Sequence, residues 1–378
     1  MINLILPSGY TDETKFTREQ TLIFQSQWQF IGFTIDLEQH NDFITRFVCD
    51  RPIVVQNFKG ELRAFENICR HRHSIIQCNS KGNRSLTCPY HGWTYDQSGV
   101  ASGIAHKDDF NVSLIDDTAN ITLRRYRVET SGKFVFVSLN DNVRSLASFL
   151  GESDVFLRDI SSSFGKKIDE FQLLEKTNWK IGVENTLDFY HVNSVHRNSL
   201  AKIMVREEFK VLQDPHSHTV ISLSSRNDRR RQKLNSLLAE RPCKFEGYVH
   251  HLIFPNLTIA TTQGMSFSVQ LFEPVSPGVT RFTTSVFAID YENCPSAVAE
   301  ALARQVAEYN RQVFVEDQVI CEAVQQGLER SDDSHPGLLN SCETRILGFQ
   351  RAYNAIMTEK TLEFNNSYSF SEQAACLN

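Results

Sequence analysis

The sequence predicts an α+β chain in two parts, a small all-β domain followed by a larger domain in which an antiparallel sheet is flanked by helices. Three observations predict it. Between about 42 and 140 the chain reads as short β-rich runs, a second strand-rich block runs from His250 to Ile289, and a long helical stripe spans roughly Ser296 to Arg330. A length of 378 residues suits two or three domains. We divide the chain into a helical N-terminal segment, 1–41, expected to pack on the larger domain, the β domain 42–148, and the larger domain 149–378.

In chain order, Thr17 to Gln25 reads as helical and leads into Trp28-Gln29-Phe30-Ile31-Gly32-Phe33. The β runs of the small domain include Pro52 to Phe58, Glu61 to Phe65 and Phe134 to Leu139. Turn residues separate them: Lys59-Gly60, Lys81-Gly82-Asn83 and Gln97-Ser98-Gly99. A helical stretch is expected from Asn178 to Tyr190, and strands at Leu252 to Phe254, Leu257 to Ala260 and Ser266 to Phe272. No internal repeat is present. One basic run, Arg226 with Arg229-Arg230-Arg231 and Lys233, reads as a solvated face, with docking of an acidic electron donor as the alternative.

Composition narrows the class. A net charge of −6 gives no reason to expect nucleic acid or an anionic membrane as partner. The start, Met1 to Ser8, lacks the basic and apolar regions of a signal peptide, and no run approaches the ~18 apolar residues of a membrane span. The expectation is a soluble, cytoplasmic protein. Nine cysteines, scattered and odd in number, then argue for metal ligands and buried thiols over a disulfide framework. Only Cys69 and Cys88 sit in a pattern.

That pattern is the first metal constellation. Cys69-Arg70-His71 and Cys88-Pro89-Tyr90-His91 each place a thiolate and an imidazole on one tight loop, and two such loops can close on a metal centre from opposite sides. Two thiolates on one iron and two imidazoles on the other form the ligand set of a Rieske [2Fe-2S] cluster. A structural zinc site is the alternative, but its usual order is Cys, Cys, His, His with different gaps.

The second constellation is dispersed. Asp188, His191 and His196 fall near the end of a helical stretch, with Asp188 and His191 on one face if the helix continues. His191 and His196 would stand about 140° apart on an ideal helix, so they can share a metal only if the helix ends or bulges between them. A third ligand comes from the long helix, whose apolar positions Leu302, Val306, Tyr309, Val313, Ile320, Val324 and Leu328 leave one gap, filled by Asp317. A carboxylate in a buried stripe costs several kcal/mol unless paired or bound to metal. A buried salt bridge is one reading. The other is two histidines and one aspartate as the facial triad of a non-haem Fe(II) centre with open positions for dioxygen.

The strings Phe65-Glu66-Asn67-Ile68-Cys69-Arg70-His71-Arg72 and Cys88-Pro89-Tyr90-His91-Gly92-Trp93-Thr94-Tyr95 resemble the Rieske domain of aromatic-ring-hydroxylating oxygenases. They depart from the respiratory Rieske protein, since Ser74, Tyr90 and Trp93 replace its disulfide cysteines and serine, which implies fewer hydrogen bonds to sulfur and a lower potential. Arg72-His73 departs from the Arg-Gly usual in the oxygenases, and His73 is read as a neighbour of the ligands. Val315 to Glu322 and Gln325-Gln326-Gly327-Leu328 resemble the ligand-bearing helix of choline- and carnitine-type monooxygenases. Phe254-Pro255-Asn256 and the segment Gly337 to Tyr353 extend the resemblance over nearly the whole chain.

The resemblance implies Cys69, His71, Cys88 and His91 as cluster ligands and His191, His196 and Asp317 as ligands of a mononuclear Fe(II). It implies that Asp188 orients His191 and links the iron to a cluster histidine of a neighbouring subunit, hence a homotrimer without a small subunit. No Gly-rich dinucleotide fingerprint follows a strand, so electrons are expected from a separate NAD(P)H-dependent reductase, directly or through a ferredoxin. The implied activity is oxidation of a small organic substrate with O2, whether hydroxylation, demethylation or a related outcome. An aromatic acid, a quaternary amine and a natural-product intermediate are equally compatible. The rival reading is a Rieske electron-transfer protein without oxygen chemistry of its own.

Overall fold

The computed structural model of the protein describes residues 1–202, 204–213, 215–223, 229, 233, 245, 247–289 and 296–358. Of the basic run, Arg226, Arg230 and Arg231 lie outside the described residues, and Arg229 and Lys233 are exposed. The chain divides into two compact units, Gln20–Ser162 and Met1–Glu19 together with the chain from Ser163 onward.

The first unit is built on a seven-stranded antiparallel sheet. Its strands are β1 (Gln29–Phe33), β2 (Asp42–Val48), β3 (Arg51–Phe58), β4 (Glu61–Glu66), β5 (Lys81–Asn83), β8 (Arg125–Ser131) and β9 (Phe134–Ser138), in the order β1-β9-β8-β4-β3-β2-β5. A separate ribbon pairs β6 (Thr94–Tyr95) with β7 (Ala101–Gly103). Period-two alternation splits the apolar residues between two cores. Ile44, Ile53, Val55 and Ala64 pack on one face, and Phe43, Val54 and Phe65 pack on the other with Cys69, Cys88, Trp93 and Tyr95. The sequence grouped residues up to 41 with the N-terminal segment. In the structure 20–41 belong to this unit, because β1 closes the sheet by pairing with β9.

The second unit carries another seven-stranded antiparallel sheet, ordered β10-β16-β15-β14-β13-β12-β11. The strands are β10 (Lys167–Glu175), β11 (Met204–Gln213), β12 (His216–Leu223), β13 (Tyr248–Ile253), β14 (Leu257–Thr262), β15 (Ser266–Ser276) and β16 (Val279–Ala288). Five helices position the functional residues of this unit: α1 (Glu13–Glu19), α2 (Trp179–Leu187), α3 (Val192–Val195), α4 (Ser296–Leu328) and α5 (Thr344–Met357). No helix among the described residues is long and apolar enough to cross a membrane.

An ion pair removed from water ties these helices together. Lys180 of α2 is fully buried, and its Nζ donates to Glu19 Oε1 at 2.6 Å. Trp179 Nε1 donates to the other oxygen at 2.7 Å and Tyr353 of α5 donates to Oε1 at 2.6 Å, so the buried carboxylate is satisfied. The ammonium also lies 5.2–5.3 Å from the ring centroids of Tyr10, Trp179 and Tyr353. Asn178 caps α2 by accepting from Lys180 N, while its amide donates to Tyr10 O and Pro277 O and its own N–H donates to Gln325 of α4.

One turn further along α2, Glu184 accepts from Tyr10 OH and from Gln350 Nε2 at 2.9 Å, and burial pushes its carboxyl up to about 7 from 4.5. The fold therefore holds a proton here that the unfolded chain releases above about pH 4.5. The contribution of this group to stability is full below pH 4.5 and falls as pH rises to about 7. Urea midpoints measured from pH 5 to 8 are expected to fall across that window, and Glu184→Gln to flatten the slope.

Candidate metal centres

The end of α2 builds one half of the first site. The helix stops at Leu187, and Asp188 is extended at φ −92° and ψ 125°. Its Oδ1 accepts from Tyr190 N at 2.5 Å and its Oδ2 lies 3.1 Å from His191 Nδ1. The expected helix to Tyr190 is therefore three residues too long. Asp188 and His191 meet across a turn, not on a shared helix face, because the aspartate side chain captures the backbone N–H that would have continued the helix. His191 and His196 then flank the short helix α3, and that break brings their ring centroids to 5.1 Å.

The other half comes from α4. Asp317 Oδ1 lies 3.0 Å from His196 Nε2 and 3.6 Å from His191 Nε2. One donor atom from each of the three residues falls within 4.8 Å of the other two. The buried stripe that carries Asp317 is not the one expected. Phe314, Cys321 and Gln325 face inward, whereas Ile320 and Val324 are 39% and 44% exposed. The inward face is set by polar anchoring, since Gln325 accepts from Asn178 N and Glu322 accepts from Lys176 N.

Glu316, next to the expected ligand, has a function that sequence reasoning missed. Its Oε2 lies 2.7 Å from His196 Nδ1 and accepts from Ser199 Oγ at 2.7 Å, while Gln312 donates to Oε1. Each histidine thus has a carboxylate at Nδ1, Asp188 for His191 and Glu316 for His196. A carboxylate there holds the proton on Nδ1 and leaves the Nε2 lone pair for a metal. Both lone pairs face Asp317 Oδ1, a buried atom with no hydrogen-bond partner among the described residues. Three electron-rich atoms at such a point repel one another unless a cation lies between them. Burial lowers the His196 pKa, but Asp317 and Glu316 outweigh it and raise it, the same preference for positive charge at that ring. Burial and then the Asp317 and Glu322 carboxylates push Glu175 up to about 7. The donor set fits an iron ion.

The second centre lies in the other unit. Cys69 and Cys88 are free, buried thiols, 1% and 2% exposed. The His71 and His91 rings stand 4.5 Å apart, nearer the surface, and His71 stacks on Trp93 at 5.1 Å. His71 Nδ1 is buried with no hydrogen-bond partner among the described residues. Burial first, then the neighbouring His91 and Arg72, lower its pKa, which keeps the imidazole neutral and able to bind metal. The two loops share one hydrogen-bond pattern. Cys69 N donates to Ser74 O and His73 N to Cys69 O; Cys88 N donates to Trp93 O and Gly92 N to Cys88 O. Two reduced thiols and two imidazoles on matched loops fit a [2Fe-2S] cluster.

Residues 165–359 match the family described as the ring hydroxylating alpha subunit (catalytic domain), and residues 27–116 match the Rieske [2Fe-2S] domain. The chain belongs to the ring-hydroxylating alpha subunit family. Such proteins carry a Rieske cluster and a mononuclear iron, the two groups the loops and the His-His-Asp cluster are suited to hold. Among its relatives, the glycine betaine monooxygenase oxygenase subunit of Chromohalobacter salexigens is 32% identical over 54% of this chain and 45% of its own. This alpha subunit thus spans about half the length of that relative. The carnitine monooxygenase oxygenase subunit of Acinetobacter pittii is 27% identical over 85% of this chain and 84% of its own. In fold, the alpha subunit resembles the quaternary ammonium Rieske monooxygenase CntA (TM-score 0.77, 22% identity, 93% and 95% of the two chains). It also resembles naphthalene 1,2-dioxygenase from Rhodococcus sp. (TM-score 0.75, 18% identity, 94% of each chain).

The matched loops locate a strain in this alpha subunit. The residue four after each cysteine is left-handed, Gly92 at φ 72° and His73 at φ 59°. Glycine adopts that region freely, and an L side chain pays roughly 1 kcal/mol for it. His73→Gly is expected to raise stability by about 1 kcal/mol in urea unfolding with the visible spectrum of the cluster unchanged.

Proposed function

We propose that this chain is the oxygenase component of a two- or three-protein system that oxidises a small organic substrate with O2. In this reading Cys69, His71, Cys88 and His91 hold the Rieske cluster, and His191, His196 and Asp317 hold the mononuclear Fe(II), where O2 is activated. The observation that carries it is the meeting of two Nε2 lone pairs and one unpartnered carboxylate oxygen beside a cavity. An electron-transfer protein without oxygen chemistry has no use for that arrangement.

The chain's own residues then have distinct tasks. Asp188 and Glu316 keep the protons of His191 and His196 on Nδ1 and fix both rings. Phe189, Val192, Val313 and Phe314 supply an apolar wall to the cavity and limit water at the centre. Tyr95 OH accepts from Arg70 N at 2.9 Å and lies 3.1 Å from Cys69 Sγ, where its proton would stabilise negative charge on a cluster-bound thiolate. Electrons come from a separate NAD(P)H-dependent reductase, directly or through a ferredoxin.

A homotrimer is part of the reading. Val315, Val319, Ile320 and Val324 form an exposed apolar row on α4, 39–64% exposed, which a neighbouring subunit would cover. Asp188 would then link the iron to the cluster of that neighbour.

Two experiments test the assignment. Purified protein is expected to hold about three irons per chain, two in the cluster and one at the triad. His196→Ala and Asp317→Ala should drop the count to about two, keep the cluster spectrum, and abolish O2 uptake with a surrogate reductase; full uptake at two irons sinks the reading. Tyr95→Phe, which removes one hydrogen bond to sulfur, should shift the cluster potential to a more negative value in redox titration.

A further inference from the structure

Strand parity puts Tyr248 and His250 of β13 on the face that lines the cavity, next to Thr219, the register partner of His250 on β12. His250 is only 3% exposed. Its Nδ1 lies 2.9 Å from Nη2 of Arg345 on α5, itself buried and bonded to Ser217 Oγ. A guanidinium can only donate, so the lone pair of this imidazole is on Nδ1 and its proton is on Nε2. That Nε2–H is buried and has no hydrogen-bond partner among the described residues. A buried donor left unmade in a native cavity calls for a partner that is absent from the protein itself.

The same cavity is lined by His191, His196 and Asp317. The carboxylates of Asp188 and Glu316 are engaged elsewhere, at the histidines of the metal centre. The Arg345 guanidinium polarises the ring through its bond to Nδ1, which strengthens Nε2–H as a donor and brings positive potential to this wall of the cavity. Burial, reinforced by the charge of Arg345, keeps the ring neutral by driving its pKa well below the usual value. A neutral donor backed by a buried cation suits an anionic oxygen better than an ammonium or an apolar group.

We propose that His250 binds the substrate, its Nε2–H donating to a carboxylate oxygen, and that the substrate of this protein is accordingly a small organic acid. This rests on the oxygenase reading and deepens it: the acid end is held at β13 while the remainder of the molecule extends toward the His-His-Asp centre. A quaternary amine qualifies only if it also carries a carboxylate.

The test uses anaerobic, iron-loaded protein and four probes in titration calorimetry: benzoate and γ-butyrobetaine, each against its methyl ester. At least one acid should bind about tenfold or more tightly than its ester. His250→Met should abolish that preference with iron content unchanged, and His250→Gln, whose amide can still donate, should keep part of it. If Met at 250 costs the protein its iron, the Gln variant alone decides, since a preference of zero there counts against the proposal. Acids and esters binding alike to the wild-type protein, no acid binding at all, or an acid preference undiminished in His250→Met would each overturn it. Acid binding that depends on His250 in a protein without O2 uptake would leave this inference standing and remove the oxygenase reading. O2 uptake with neutral substrates alone would do the reverse.

Discussion

Three electron-rich atoms meet at one buried point: Nε2 of His191, Nε2 of His196 and Oδ1 of Asp317. Left to themselves they repel, and the carboxylate oxygen among them has no hydrogen bond to offset its burial. A cation between them removes that repulsion. Asp188 and Glu316 sharpen that demand, since each removes the option of a proton shared between the two nitrogens by holding it on Nδ1. Much of the larger unit serves to keep these groups in place against their repulsion.

That scaffold is anchored at a second buried charge. The Glu19–Lys180 pair is closed by Trp179 and Tyr353, so helices α1, α2 and α5 share one buried polar knot. A buried pair is expensive to form and more expensive to break on one side, which makes its geometry strict. Asn178, two residues before Lys180, passes that strictness to α4 through Gln325. The elements that carry or flank His191, His196 and Asp317 are thus fixed to one another by this polar network.

The two candidate metal centres stood out in the sequence to different degrees. The candidate cluster loops are local: donors two or three residues apart must share a loop, so Cys69, His71, Cys88 and His91 stand out by spacing alone. The β runs of both sheets were legible for the same reason, since period two is a property of a short window. Asp317 was visible only as a misfit, a carboxylate on an apolar stripe, and the stripe itself was drawn one position off. Ile320 and Val324 look like core by composition, yet Cys321 and Gln325 take the buried face because Gln325 has a backbone partner there. Hydropathy ranks side chains by transfer from water and does not count such hydrogen bonds.

What the sequence determined by itself is the inventory: two sheets, one long helix, four candidate cluster donors and a set of histidines and acids at fixed spacings. Those are consequences of backbone period and of side-chain chemistry within a few residues. Tertiary structure alone decided the pairings. That Glu316 seats His196 from 120 positions away and that Arg345 sets the tautomer of His250 are facts of packing between distant segments. The physical reason is reach: a hydrogen bond acts over about 3 Å, and no pattern along the chain records which remote groups folding will bring within that distance.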